Sequence, residues 1–187
     1  APNIILIGEI RDGVVADIAI QAALTGHLVF STLHTNDAPS AITRLIDMGV
    51  KPFLVASSIQ AIMAQRLVRV ICKKCKVVDE NPDPFNLKSL DIDPKNLDKT
   101  PVYKGAGCSQ CQNTGYKGRL AIFEMVELTN EIRELAFAKA PTTELRKACR
   151  DSGMRTLRDD GKLKILNGIT TPSEVVRITQ TEGVVVD

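Results

Sequence analysis

The sequence has no tryptophan and only 4% aromatic residues. No apolar run approaches the roughly 20 residues that a membrane-spanning helix requires, so such a helix is excluded. An excess of charge of one sign is missing too. Twenty-four lysines and arginines against 22 acids leave a formal charge of +2, so there is no global electrostatic case for nucleic acid or an anionic membrane as a partner. Internal repeats are absent, which argues against a solenoid. None of the twelve glycines falls in a G-x-x-x-x-G-K-[ST] pattern, so these 187 residues hold no phosphate cradle of the P-loop kind. The chain opens with Ala1-Pro2 directly before a strand-like run, and it is expected to be the C-terminal part of a longer protein.

What is present reads first as an α/β layered domain. Residues 4–7 form a continuous apolar run of strand length, expected to be a parallel strand covered on both faces. Residues 12–24 follow helical spacing and stop at Thr25-Gly26. Residues 28–33 make the next strand. Asn36 or Asp37 then caps a helix with Pro39 in its first turn and Gly49 at its end. A further helix is expected over 53–65 after Pro52, and a strand over 66–71. The character changes at Cys72. Residues 81–101 carry four prolines without sustained periodicity and read as an irregular excursion. A strand returns over 119–127, followed by four short helices expected to form a small bundle. Their start signals are Thr129, Thr142 or Thr143, the Thr156/Asp159 pair, and Thr171-Pro172-Ser173-Glu174, which has the form of a full capping box. The expected segments are therefore 1–71, 72–118 and 119–187.

Four of the five cysteines fall in two pairs, Cys72-x-x-Cys75 and Cys108-x-x-Cys111, separated by 32 residues. Each knuckle can place two thiolates on one side, and four thiolates suit a closed, structural Zn²⁺ site that clips the long loop between them at its base. Disulfides and a redox C-x-x-C pair are the competing readings. The first needs an oxidising compartment, and the second gives no reason for two pairs. Cys149 reads as a small core residue within a helix. Lys73, Lys74 and Lys76 beside the first knuckle read as a solvated face, with electrostatic docking as the alternative.

Glu9 follows the first strand after Gly8, and a parallel strand delivers such a carboxylate to the sheet's carboxyl edge, where Mg²⁺ and a γ-phosphate sit in nucleotide hydrolases. His34 follows the second strand among Ser31, Thr32, Thr35 and Asn36. Each taken singly reads equally as an ordinary strand end or helix cap. His27 reads as structural.

These stretches carry a family resemblance. I-L-I-G-E-I-R-D (5–12) and T-G-H-L-V-F-S-T-L-H-T-N-D-A (25–38) resemble the Walker B and histidine boxes of the type II secretion and type IV pilus assembly ATPases. Q-R-L-V-R-V-I-C-x-x-C (65–75) and G-C-S-Q-C-Q-N-T-G-Y-K-G-R-L-A-I-F-E (107–124) resemble the tetracysteine region of the secretion and assembly branches, which retraction motors lack. Residues 153–161 and 168–179 resemble the family's C-terminal helices. The resemblance implies the C-terminal part of a RecA-like P-loop ATPase core, with a zinc-clipped insertion and a small C-terminal helical region. It further implies a cytoplasmic homo-hexamer that uses ATP and Mg²⁺ to drive pilin or pseudopilin assembly. Such a hexamer lies peripheral to the inner membrane through platform and cytoplasmic adaptor proteins, with neither a membrane span nor a nucleic-acid partner.

By the same resemblance Glu9 is the Walker B acid, His34 faces the γ-phosphate, and Arg11 and Thr32 are supporting contacts. Cys72, Cys75, Cys108 and Cys111 become the ligands of a structural zinc. One departure stands out: Val14-Val15 replaces the family's usual Glu-Thr after the Walker B box. The alternative function is a non-enzymatic, zinc-stabilised module that binds neighbouring subunits or a membrane platform. In either case the chain without a P-loop is expected to be inactive alone, since P-loop amides and lysine supply much of the positioning and charge neutralisation.

Overall fold

The computed structural model describes residues 2–97 and 100–180. Ala1, two residues of the 81–101 excursion and residues 181–187 lie outside them, as do the outer ends of the expected first and last segments. The chain divides into two compact units, one of residues 1–64 with 124–154, the other of 65–123 with 155–187. The packing boundary thus falls inside two strands, where the sequence's changes of character do not.

The first unit begins with β1 (Ile4–Ile7), α1 (Gly13–Leu24) and β2 (Leu28–Ser31). β1 and β2 are parallel, with Ile4 opposite Leu28 and Ile7 opposite Ser31. Asp12 caps α1 by accepting the Val15 N–H at 3.0 Å. The expected cover on both faces is not found: Leu6 is 78% exposed and Phe30 54%. Within the described residues cover reaches the other face alone, where alternate side chains point. α2 (Pro39–Asp47) follows, and Asp37, one of the two expected caps, accepts the Ser40 N–H at 2.9 Å. α3 (Pro52–Ser58) is only one to two turns long. The helix expected to reach residue 65 stops after Ser58, where Ile59 is extended and the chain turns into a strand that begins at Ala61.

β3 (Ala61–Ile71) is accordingly longer than expected, and its alternating burial is the period-2 pattern of a half-buried strand. It hydrogen-bonds to β6 (Tyr116–Glu127), and each of these strands contributes to both units. α5 (Asn130–Phe137) and α6 (Thr142–Asp151) complete the first unit. Ile20, Ile42, Val55, Ile132, Leu145 and the fully buried Cys149 share its core, so Cys149 has the packing role expected of it.

The second unit holds β4 (Lys76–Val78) and β5 (Tyr103–Gly105), paired antiparallel, with α4 (Pro84–Ser89), α7 (Leu157–Leu166) and α8 (Pro172–Thr179). The 81–101 excursion is therefore not merely irregular. Asp83 caps α4 by accepting the Phe85 N–H at 3.0 Å, with Pro84 at the first helical position. Leu87, Leu90 and Ile92 then enter a core with Val68, Ile122 and Ile165. Three such side chains bring about 1.5–3 kcal/mol each. The expected four-helix bundle is likewise replaced. α5 and α6 pack in the first unit and α7 and α8 in the second, because their apolar faces find two separate cores.

Candidate functional site

Parallel pairing brings the carboxyl ends of β1 and β2 side by side. The Thr32 hydroxyl donates to the Gly8 carbonyl at 2.8 Å, and the Ile10 N–H donates to the Thr32 carbonyl at 2.8 Å, so the two chains stay in register beyond the strands. That register carries Glu9 and His34 together, with His34 Nε2 3.3 Å from one Glu9 carboxylate oxygen while Arg11 donates to the other. The Arg11 guanidinium holds the Glu9 carboxyl below its ordinary range, with His34 adding to the effect. All three are accessible: the Glu9 side chain is 31% exposed and that of His34 90%. His34 also borders a shallow depression of about 280 Å³ shared with Ser40, Thr43, Arg44 and Asp47. The structure thus gathers Glu9, Arg11, Thr32 and His34 at one sheet edge. His27 stands apart, its Nδ1 beside the Thr25 hydroxyl and the Ala22 carbonyl.

The four paired cysteines converge in the second unit. Their sulfurs all lie within 4.8 Å of one another. Cys72 and Cys108 are 3.9 Å apart, Cys75 and Cys111 3.8 Å, and Cys108 and Cys111 3.7 Å. Four sulfurs at Zn–S distances on a tetrahedron would stand about 3.8 Å apart, so the cluster fits a metal of that size and softness. The β4–β5 ladder begins immediately beside it, with Lys76 opposite Gly105. Gly105 and Gly115 cross so closely that a Cβ on Gly115 would meet the Gly105 carbonyl oxygen at 2.6 Å, and Gly115 has φ +76°. Burial and the neighbouring thiols push the Cys75 thiol up to about 12. Burial acts the same way on Cys111, yet the N–H groups of Cys108 and Gly115 bring it down to about 6. Lys73 and Lys74 are exposed on the first knuckle, and Lys76 stands 4.1 Å from the Tyr103 ring centroid.

The family model for type II/IV secretion system proteins matches residues 1–177. The chain belongs to that family. Among relatives of this family member, the type IV pilus assembly ATPase PilB of Thermus thermophilus is 49% identical over 178 residues, covering 95% of this chain and 20% of the relative. The type II secretion system protein E of Pseudomonas aeruginosa is 45% identical over 181 residues, covering 97% and 35% respectively. The chain therefore spans between a fifth and about a third of the length of these relatives. In fold it is similar to the ATPase DotB of Yersinia pseudotuberculosis, with a TM-score of 0.64 at 23% identity, over 96% of this chain and 37% of that one. Among the described residues no helix of this family member is long and apolar enough to cross a membrane.

One acid escaped the reading of the sequence, and two others were read only as helix-start signals. Glu124 is buried on β6 and accepts the Ala38 N–H at 2.6 Å. Its signal was its parity, since it alternates with the inward Ile122 and Val126. Asp37 does more than cap: Arg146 Nε donates to it at 2.7 Å and Arg146 Nη2 donates to Ser40 Oγ at 3.2 Å. Glu174 is not half of a full capping box. Thr171 Oγ1 accepts the Glu174 N–H, but the Glu174 carboxylate turns to Arg69 and Arg177, at 2.8 and 2.7 Å. The Arg69 guanidinium in turn lies 4.2 Å from the Tyr116 ring centroid.

Proposed function

We propose that this chain is the part of a secretion or pilus-assembly ATPase that supplies the acid and the histidine of the hydrolytic site, together with a structural zinc module. The observation that carries this reading is the juxtaposition of Glu9 and His34 at the carboxyl ends of adjacent parallel strands, 3.3 Å apart. Glu9 is kept ionised by Arg11, as a group that orients an attacking water and lies near Mg²⁺ must be. His34 faces outward, where a γ-phosphate would be contacted, and Thr32 holds the two strand ends together. ATP with Mg²⁺ supplies the phosphoryl chemistry, and the chain's own residues contribute position and charge.

In the intact protein we place this chain within the RecA-like core of a cytoplasmic homo-hexamer. Platform and adaptor proteins hold that hexamer at the inner membrane, and hydrolysis drives pilin or pseudopilin assembly. Cys72, Cys75, Cys108 and Cys111 hold Zn²⁺ and clip an insertion over 72–118; all four ligand positions are protein, so the metal is structural. The flanking segments are 1–71, from the core, and 119–187.

Glu9→Gln in the intact protein is expected to lower kcat by at least 100-fold while nucleotide affinity changes little, because the amide keeps the shape and loses the charge. Turnover near wild type in that variant would falsify the assignment. The 187-residue chain alone is expected to show negligible turnover and weak nucleotide affinity, measured by phosphate release and by titration calorimetry.

A further inference from the structure

His34 has little packing of its own, and the chain on either side must place it. Leu33 before it packs against the core of the first unit. After it, the chain enters α2 through Asp37 and Ala38, and both are tied to distant parts of the same unit. Glu124, 5% exposed, accepts the Ala38 N–H at 2.6 Å from across 86 residues of sequence. Arg146 on α6 donates to both Asp37 and the Ser40 hydroxyl. Burying a carboxylate in a strand that otherwise supplies Ile122 and Val126 to the interior is costly, and a short charge-assisted bond at the start of a helix offsets that cost.

From this arrangement we propose that Glu124 and Arg146 are positioning residues for His34. Together they fix the 34–38 turn so that the imidazole is presented to Glu9. The inference rests on the reading of Glu9 and His34 as a working pair, but its geometry is tested without turnover.

The chain has two histidines, so its ring NMR spectrum separates His34 from His27. Glu9→Gln should displace the His34 ring resonances, with His27 as the unmoved reference. Glu124→Ala and Arg146→Ala should each cut that displacement by at least half and speed amide exchange at Ala38 and Ser40 by tenfold or more. Glu124→Gln, which keeps an acceptor, should restore both. Wild-type displacement and exchange in Glu124→Ala and Arg146→Ala overturn the proposal. So does faster exchange spread evenly through α5 and α6, which marks a merely structural role. If Glu124→Ala fails to fold, the part-exposed Arg146→Ala and the conservative Glu124→Gln carry the same comparison. Full turnover of His34→Ala in the intact protein would instead remove the catalytic reading and leave the positioning result standing.

Discussion

At Glu174 two guanidinium groups and the Arg69 backbone N–H converge on one carboxylate whose side chain has no solvent exposure. Burial works against its ionised form, but Arg69 and Arg177 win, and its pKa falls to about 2. Removing the carboxylate leaves the Arg69 N–H without its acceptor and two half-exposed guanidinium groups without their anion, so Glu174→Ala is expected to cost about 1–3 kcal/mol in urea unfolding. The pH dependence follows in sign. The folded state binds the proton more weakly than the unfolded chain, so this stabilisation is complete above the ordinary carboxylate value of about 4.3 and is lost as the pH falls from there towards about 2. Between those limits Glu174→Gln should show a flatter stability-versus-pH curve than wild type, and equal slopes would sink the assignment. Glu9 lies differently: its lowered pKa is that of a part-exposed group beside Arg11, within reach of solvent, so no comparable stability effect is expected from it.

At the scale of elements, the clip is the most exacting piece of backbone. Two C-x-x-C turns have to meet, and they do so where β4 and β5 begin their ladder and Gly105 crosses Gly115. Metal analysis should give one Zn²⁺ per chain, and Cys72→Ser with Cys108→Ser should abolish its retention. Gly115→Ala puts a Cβ on a left-handed backbone and into a clash with the Gly105 carbonyl oxygen, and about 1–3 kcal/mol of strain should appear as faster zinc loss to a chelator. Wild-type zinc retention in that variant would argue against the crossing as a constraint. α4 shows how an element hides from periodicity. Six residues give no helical repeat to read, yet Asp83-Pro84 start it and the burial of Leu87 secures it.

The molecule as a whole has two cores, and each draws on two separated stretches of sequence. Metal removal should therefore act unequally. Chelation is expected to speed amide exchange at Leu87, Ile92 and Val102 while Val55, Ile132 and Leu145 keep their protection, as measured by mass spectrometry on the intact chain. Uniform loss across both sets would mean that the units unfold as one. The exposed apolar face of β1 and β2 is a fact of the same scale, since a parallel pair with cover on one side leaves Ile4, Leu6, Leu28 and Phe30 in the open.

The sequence by itself determined what depends on neighbours along the chain. The caps at Thr129 and Thr156, the stop at Gly49 and the two cysteine knuckles all rest on bonds spanning three or four residues, and a local pattern contains both partners. Glu9 and His34 were legible as strand ends for the same reason, and the family motifs made them a pair. Only the tertiary structure decided the rest. The helix expected to run on to residue 65 gave way at Ile59 to the extended β3, which found a partner in β6, more than forty residues downstream. Helices adjacent in sequence parted to different cores, and Glu124, Arg146 and Glu174 acquired partners 86 to 109 residues away. Such contacts follow from which faces are left to bury once the elements exist, and no window of neighbouring residues contains that information.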